Sequence, residues 1–169
     1  MTISMRRSRV LRQPVEAGVR ARRVLAVASG GGHWMELRRL IPAFHDLDVA
    51  FVSVHANYAS QVPGRRFYVI RDVSRRNPWD ALTLVPQLLR IIWRERPDVV
   101  ITTGSAPALV ALLFARRLLG ARTIWIDSIA NVERLSSSGA LARHVADVWL
   151  TQWPALRTER GPDCWGQVL

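Results

Sequence analysis

Three consecutive glycines and a histidine, Gly30, Gly31, Gly32 and His33, stand between an apolar run at 24–28 and a stretch at 33–44 whose apolar residues recur at helical spacing. A glycine turn leading from a strand into a helix aims backbone N–H groups and the positive end of the helix dipole at whatever lies beyond it, which suits an anion. His33 falls in the first turn of that helix, where the dipole favours the neutral imidazole; such a ring takes a proton from a hydroxyl or donates to a phosphate oxygen. The bland reading of the same residues is tight strand-to-helix packing with His33 as a capping or packing residue. Further candidates follow apolar runs immediately: Ser29, His55, Gly104, Ser105, Asp127 and Ser128. Ser105 suits either a ligand hydrogen bond or a helix N-cap.

Several chemistries are disfavoured by residue type. A dinucleotide fingerprint needs a third glycine where Met35 stands, and an acid at the end of the second strand, where His55 stands. A P-loop needs a lysine, and all 24 basic residues are arginine. The segment "TGSAP" lacks the second glycine of a nucleophile elbow. His33, His45, His55 and Cys164 lie too far apart in sequence for a short-spaced zinc motif.

These residues require elements to hold them. Strands are expected at 24–28, 47–55, 65–73, 98–104, 122–128 and 147–154. Helices are expected at 33–44, from Asn77 and Pro78 to Arg94, at 105–120 closed by Gly120, and at 135–146. Pro86 is expected to kink the second helix. Strands alternating with helices, and apolar throughout, predict an α/β fold: a Rossmann-like, doubly wound, mainly parallel sheet covered on both faces. Ligands of such sheets bind beyond the carboxyl ends of the strands, where the glycines, His33, Ser105 and Asp127 gather.

The 169 residues suit one domain at 24–169, preceded by a basic tail at 1–23 that carries seven arginines and one acid. The net charge of +11 points to phosphorylated small molecules, anionic lipid or nucleic acid. The tail has no aromatic residue for base stacking, so no specific nucleic-acid partner is expected. The lone Cys164 excludes an internal disulfide. No apolar run reaches the roughly eighteen residues of a spanning helix. In the second helix, Trp79, Leu82, Val85, Leu89 and Trp93, bordered by Arg75, Arg76 and Arg90, fit contact with an anionic leaflet; a core helix would explain about half of its apolar residues as well.

The segments "ASGGGHWMELRRL", "RERPDVVITTGSAPALVALLFARRLLG", "TIWIDSIANVERLSSSGALARHVADVWLTQWPAL" and "CWGQVL" resemble the acceptor-binding, membrane-associated subunit of two-chain UDP-N-acetylglucosamine transferases and its bacterial relatives in capsule and exopolysaccharide assembly. Trp34 stands where that family usually has Ser or Thr, and Asp127 where it commonly has Glu. The resemblance implies a domain equivalent to the N-terminal half of a GT-B glycosyltransferase, completed by a separate donor-binding chain that brings the UDP-sugar. It implies an inverting transfer to a polyprenyl-diphosphate-linked saccharide at the cytoplasmic face of the membrane, with no cofactor and no metal. His33 and Asp127 are then the candidate bases, with Glu36 behind them. Ser29, Gly30, Gly31, Gly32, Gly104, Ser105 and Ser128 would hold the acceptor diphosphate. A non-catalytic scaffold that recruits or stimulates the transferase is the alternative.

Overall fold

A computed structural model describes residues 20–72 and 80–168. Six strands form one parallel sheet: β1 (Arg23–Val27), β2 (Asp48–Ser53), β3 (Arg66–Val69), β4 (Val99–Thr102), β5 (Arg122–Ile126) and β6 (Val148–Leu150), in the order β3-β2-β1-β4-β5-β6. Between them lie α1 (Gly32–Arg39), α2 (Asp80–Glu95), α3 (Ala106–Leu119) and α4 (Ser137–Ala142). This is the doubly wound α/β arrangement expected from the alternation of apolar runs, and the chain order reverses between β1 and β4, where such sheets leave a crevice.

Each face of the sheet has its own core. Leu25, Val27, Ala50, Val52, Val100 and Trp125 pack under α2 and α3, with Leu88, Ile92, Ala108, Ala111 and Leu112 fully buried against them. On the other face Ala26, Val49 and Phe51 meet Trp34, Leu37 and Phe44. Trp34 is completely buried, stacked on Tyr58 with ring centroids 4.9 Å apart and donating its indole N–H to Gln61. The position after His33 is therefore a core position.

Local chemistry sets the element ends. The helix expected to run to 44 ends at Arg39 and continues as a 3-10 turn, Ile41–Phe44, because Pro42 has no N–H for the α-helical ladder. α3 begins at its Ser105 cap, which accepts from the Ala108 N–H, and ends at Gly120 in the left-handed conformation (φ 64°). α4 is shorter than the expected 135–146; Ser136 caps it by accepting from Gly139 N–H at 2.8 Å. α2 carries Pro86 in its interior, and its start at Asn77 and Pro78 lies outside the described residues.

Charged groups tie down the amino-terminal rim of the sheet. The folded body begins before residue 24: Arg23 opens β1 and Arg20 pairs with Asp98 at 3.1 Å. The Arg23 N–H, donating at 2.8 Å, holds the Asp98 carboxyl below its usual range, and Arg20 adds to this against a smaller cost of burial. Glu95, buried at the end of α2, accepts from Arg66 and from the Tyr68 hydroxyl. Burial and that hydrogen bond push the Tyr68 phenol above its ordinary value. For Arg66, burial disfavours the cation, but its bond to Asp48 and the charges of Glu95 and Asp48 outweigh it and raise the pKa. At the far edge the chain returns to β6, where Asp163 N–H donates to the Trp149 carbonyl and Thr151 N–H donates to the Asp163 carbonyl.

Candidate functional site

At the carboxyl ends of β1 and β4 lies a groove of about 210 Å³ lined by Ser29, His33, Asp72, Ser105, Ala106, Pro107, Ser136 and Ser138. Three residues expected at the site meet there from two turns, Ser29 and His33 from the one after β1 and Ser105 from the one after β4. Each is half-buried, whereas Asp72 is exposed.

The histidine is held by the turn after β4. Its Nδ1 lies 2.9 Å from the Thr103 carbonyl, and its own backbone carbonyl accepts from the Thr103 hydroxyl at 2.6 Å. The ring lies so close to Gly104 that a Cβ there would fall 2.6 Å from Cε1 and Nδ1. Gly104 has φ 125°, and the next residue, Ser105, has φ 102°. A left-handed serine of this kind stores roughly 1–3 kcal/mol of strain, of the sort that collects at functional turns. The Thr102 hydroxyl accepts from Gly104 N–H at 3.0 Å and so holds the turn in this shape.

The three glycines do different jobs. A Cβ on Gly30 would lie 2.6 Å from the His55 ring, so this position serves close packing. Gly31 has φ 58° and donates its N–H to the Tyr58 hydroxyl at 3.2 Å. Gly32 opens α1 and is exposed, and a Cβ added there would meet nothing within 4 Å, as at Gly31; none of the three glycines lines the groove itself. Gly32 is thus the glycine whose identity neither close packing nor a positive φ dictates.

Asp127 is brought near the groove without lining it. Its carboxylate is 1% exposed and accepts four hydrogen bonds. Oδ1 takes the Ser136 hydroxyl at 2.7 Å and the Trp125 indole at 3.3 Å, while Oδ2 takes Asn131 Nδ2 and Ser136 N–H, both at 3.0 Å. Those bonds occupy the roughly four lone-pair directions of a carboxylate. Asp127 thus places Ser136, which does line the groove, and a Cβ on Gly139 would overlap its carboxylate.

Glu36 and Ser128 belong to a second buried network. Glu36, 4% exposed, accepts from the Ser128 hydroxyl at 2.6 Å, from Gln152 Nε2 at 2.7 Å and from Ile129 N–H at 3.3 Å. Gln152 also donates to the Asp127 carbonyl at 3.0 Å and accepts from Val168 N–H at 2.8 Å. One side chain of α1 is thereby joined to the loop after β5, the turn after β6 and the end of the chain. Sequence reasoning missed Asp72, Ser136, Ser138 and Thr103. Ser136 and Ser138 sit in "LSSSG", which has the form of a helix cap, and the threonines of "TTG" directly precede the glycine that His33 needs.

The stripe on α2 is exposed only in part. Leu82 and Trp93 are 64% and 59% exposed, Val85 and Leu89 are half-buried and Arg90 is exposed, while Leu84, Leu88, Ile91 and Ile92 of the same helix fill the core. Trp79, Arg75 and Arg76 lie outside the described residues. Among the described residues no helix is long and apolar enough to cross a membrane.

Residues 24–167 match the family described as "Oligosaccharide biosynthesis protein Alg14 like". The chain is 28% identical over 171 residues to the mouse protein named "UDP-N-acetylglucosamine transferase subunit ALG14", covering 80% of this chain and 77% of that one. It is 27% identical over 165 residues to the human protein of the same name, covering 79% and 76%. In fold it is similar to UDP-N-acetylglucosamine 2-epimerase from Rickettsia bellii, with a TM-score of 0.61, 14% identity, and coverage of 80% of this chain and 40% of that one. The chain therefore spans about two fifths of the length of that structure.

Proposed function

Because the chain belongs to the Alg14-like family of oligosaccharide biosynthesis proteins, we propose that it is the acceptor-binding, membrane-recruiting subunit of a two-chain inverting glycosyltransferase. Its partner is a separate donor-binding chain that carries the UDP-sugar, UDP-N-acetylglucosamine or another UDP-hexose. The acceptor is a polyprenyl-diphosphate-linked saccharide in polysaccharide assembly at the cytoplasmic face of the membrane. The observation that carries the reading is the clamped imidazole of His33 lining a groove with Ser29, Ser105, Ser136 and Ser138 at the strand ends.

In this mechanism an acceptor hydroxyl attacks the anomeric carbon of the donor sugar. The new glycosidic C–O bond forms as the bond to the UDP oxygen breaks, UDP leaves with the electron pair, and His33 Nε2 takes the hydroxyl proton. The groove serines and the Gly32 backbone hold the acceptor's phosphates and sugar hydroxyls. Asp127, saturated with hydrogen bonds, acts by placing Ser136. The exposed side of α2, with Leu82, Trp93 and Arg90, rests on the anionic leaflet that holds the acceptor.

The test is transfer of labelled UDP-sugar to a polyprenyl-diphosphate acceptor by this chain co-purified with its partner. His33→Ala lowers the rate by about 10²- to 10⁴-fold, the usual worth of a general base, while the pair still assembles. If the partner transfers sugar alone and His33→Ala leaves its rate unchanged, the chain is a scaffold without a part in the chemistry.

A further inference from the structure

The geometry points to Thr103 as a positioning residue that fixes His33 in a single tautomer, Nδ1 protonated and Nε2 free, and so decides which ring nitrogen accepts a proton in the groove. The inference rests on the reading of His33 as the base, and it adds how that base is set. A backbone carbonyl only accepts, so the 2.9 Å contact between the Thr103 oxygen and His33 Nδ1 requires the hydrogen on Nδ1. The neutral ring then carries its lone pair on Nε2, the only nitrogen left to act as base.

Thr103 grips the same residue at a second point, its hydroxyl donating to the His33 backbone carbonyl at 2.6 Å. Two contacts from one fully buried residue fix both the main chain and the ring of His33. The missing side chain at Gly104 completes the device: a Cβ there would sit 2.6 Å from Nδ1 and 3.5 Å from Nε2, so it would strike the clamped edge of the ring. The left-handed backbone at Gly104 and Ser105 turns the chain into α3 directly after the Thr103 carbonyl.

Among the described residues the other titratable group lining the groove is Asp72, which follows β3. Glu36, on the helix that carries His33, is engaged with Ser128, Ile129 and Gln152. The clamp is thus a backbone device in place of the carboxylate that orients many catalytic histidines, and it holds the tautomer without placing a fixed negative charge on Nδ1.

The experiment reads the tautomer directly, on the full chain labelled with ¹⁵N, by long-range proton–nitrogen correlation of the His33 ring above its titration. The expected spectrum has a protonated-type Nδ1 and an unprotonated-type Nε2. Gly104→Ala collapses that pattern toward a mixture of tautomers. Thr103→Val, which keeps the shape and loses the hydroxyl, broadens the ring signals and lowers kcat of the assembled pair about three- to tenfold with KM unchanged, the weight of one hydrogen bond. Thr103→Ser, which keeps the hydroxyl, restores both. An Nε2-protonated ring in the wild type overturns the inference, as does a Thr103→Val protein with wild-type signals and an unchanged pH–rate profile. Transfer that survives His33→Ala alongside the expected wild-type spectrum leaves the clamp standing and removes the general-base reading. Should Gly104→Ala fail to fold, the valine and serine variants decide the matter.

Discussion

Replacing Glu36 separates a structural hub from a catalytic acid. Its two carboxylate oxygens accept from Ser128, Ile129 and Gln152, and the group is 4% exposed. In Glu36→Ala the Ile129 N–H loses its partner, the Ser128 hydroxyl must turn elsewhere, and Gln152 Nε2 keeps only the Asp127 carbonyl. With a buried unsatisfied donor costing about 1–3 kcal/mol, and partial rescue of the other two, the loss comes to roughly 2–4 kcal/mol. At about 2–4 °C per kcal/mol for a chain of this size, Tm falls by roughly 5–15 °C. Glu36→Gln costs less, about 1 kcal/mol: its new NH₂ can face Ser128, whose hydroxyl can accept, and removing a buried charge offsets part of the loss. Urea titration followed by tryptophan fluorescence gives both values from the shift in midpoint at constant slope. A cycle with Gln152→Ala should show coupling of about 1 kcal/mol or more, since the two side chains share one bond. The reasoning is refuted if both Glu36 variants stay within about 0.5 kcal/mol of wild type while transfer is lost, because the carboxylate would then be working in the chemistry.

The glycines should respond in a graded way to alanine. Gly32→Ala is neutral or slightly stabilising in thermal unfolding, Gly31→Ala costs about 1–2 kcal/mol for its left-handed backbone, and Gly104→Ala is the most damaging because strain and contact with His33 combine. Asp98, whose folded pKa is depressed, contributes stability above the ordinary carboxylate value of 3.8 and loses it as the pH falls through the lower folded value. Asp98→Asn should therefore flatten the acid limb of a stability–pH curve by a few tenths of a kcal/mol, a small effect because the pair is solvent-screened. Leu82→Glu and Trp93→Glu should leave Tm nearly unchanged yet abolish co-flotation with vesicles containing anionic lipid; retained flotation would remove α2 from the membrane reading.

The fold was legible because parallel strands buried on both faces are written as apolar runs, and because Ser105 and Gly120 mark their helix ends by residue type alone. His33 and Ser105 were legible as candidates for a similar reason: each stands where a strand hands over to a helix, His33 after the glycine turn and Ser105 directly after Gly104. The partners that give such residues their roles were not. His33 meets Thr103 across 70 residues, and Glu36 meets Gln152 across 116, distances over which local pattern carries no signal. Asp127 shows the converse. Its place at a strand end suggested chemistry, but Ser136 and Asn131, nine and four residues on, turn back and occupy it. Trp34 occupies a core position because the first turn of α1 presents neighbouring residues to different sides, with His33 toward the β4 turn and Trp34 into the ring cluster of Tyr58, Phe51 and Phe67.

The way the chain closes its sheet limits how another protein can join it. β6 is three residues long, and the segment at Asp163 already occupies its outer hydrogen-bonding groups. β3, at the opposite edge, spans four residues and carries Arg66 in ion pairs with Asp48 and Glu95. Short, charged or covered edges discourage strand addition. The sheet is thereby guarded against edge-to-edge polymerisation, and any partner chain is met through loops and side chains instead of strand addition.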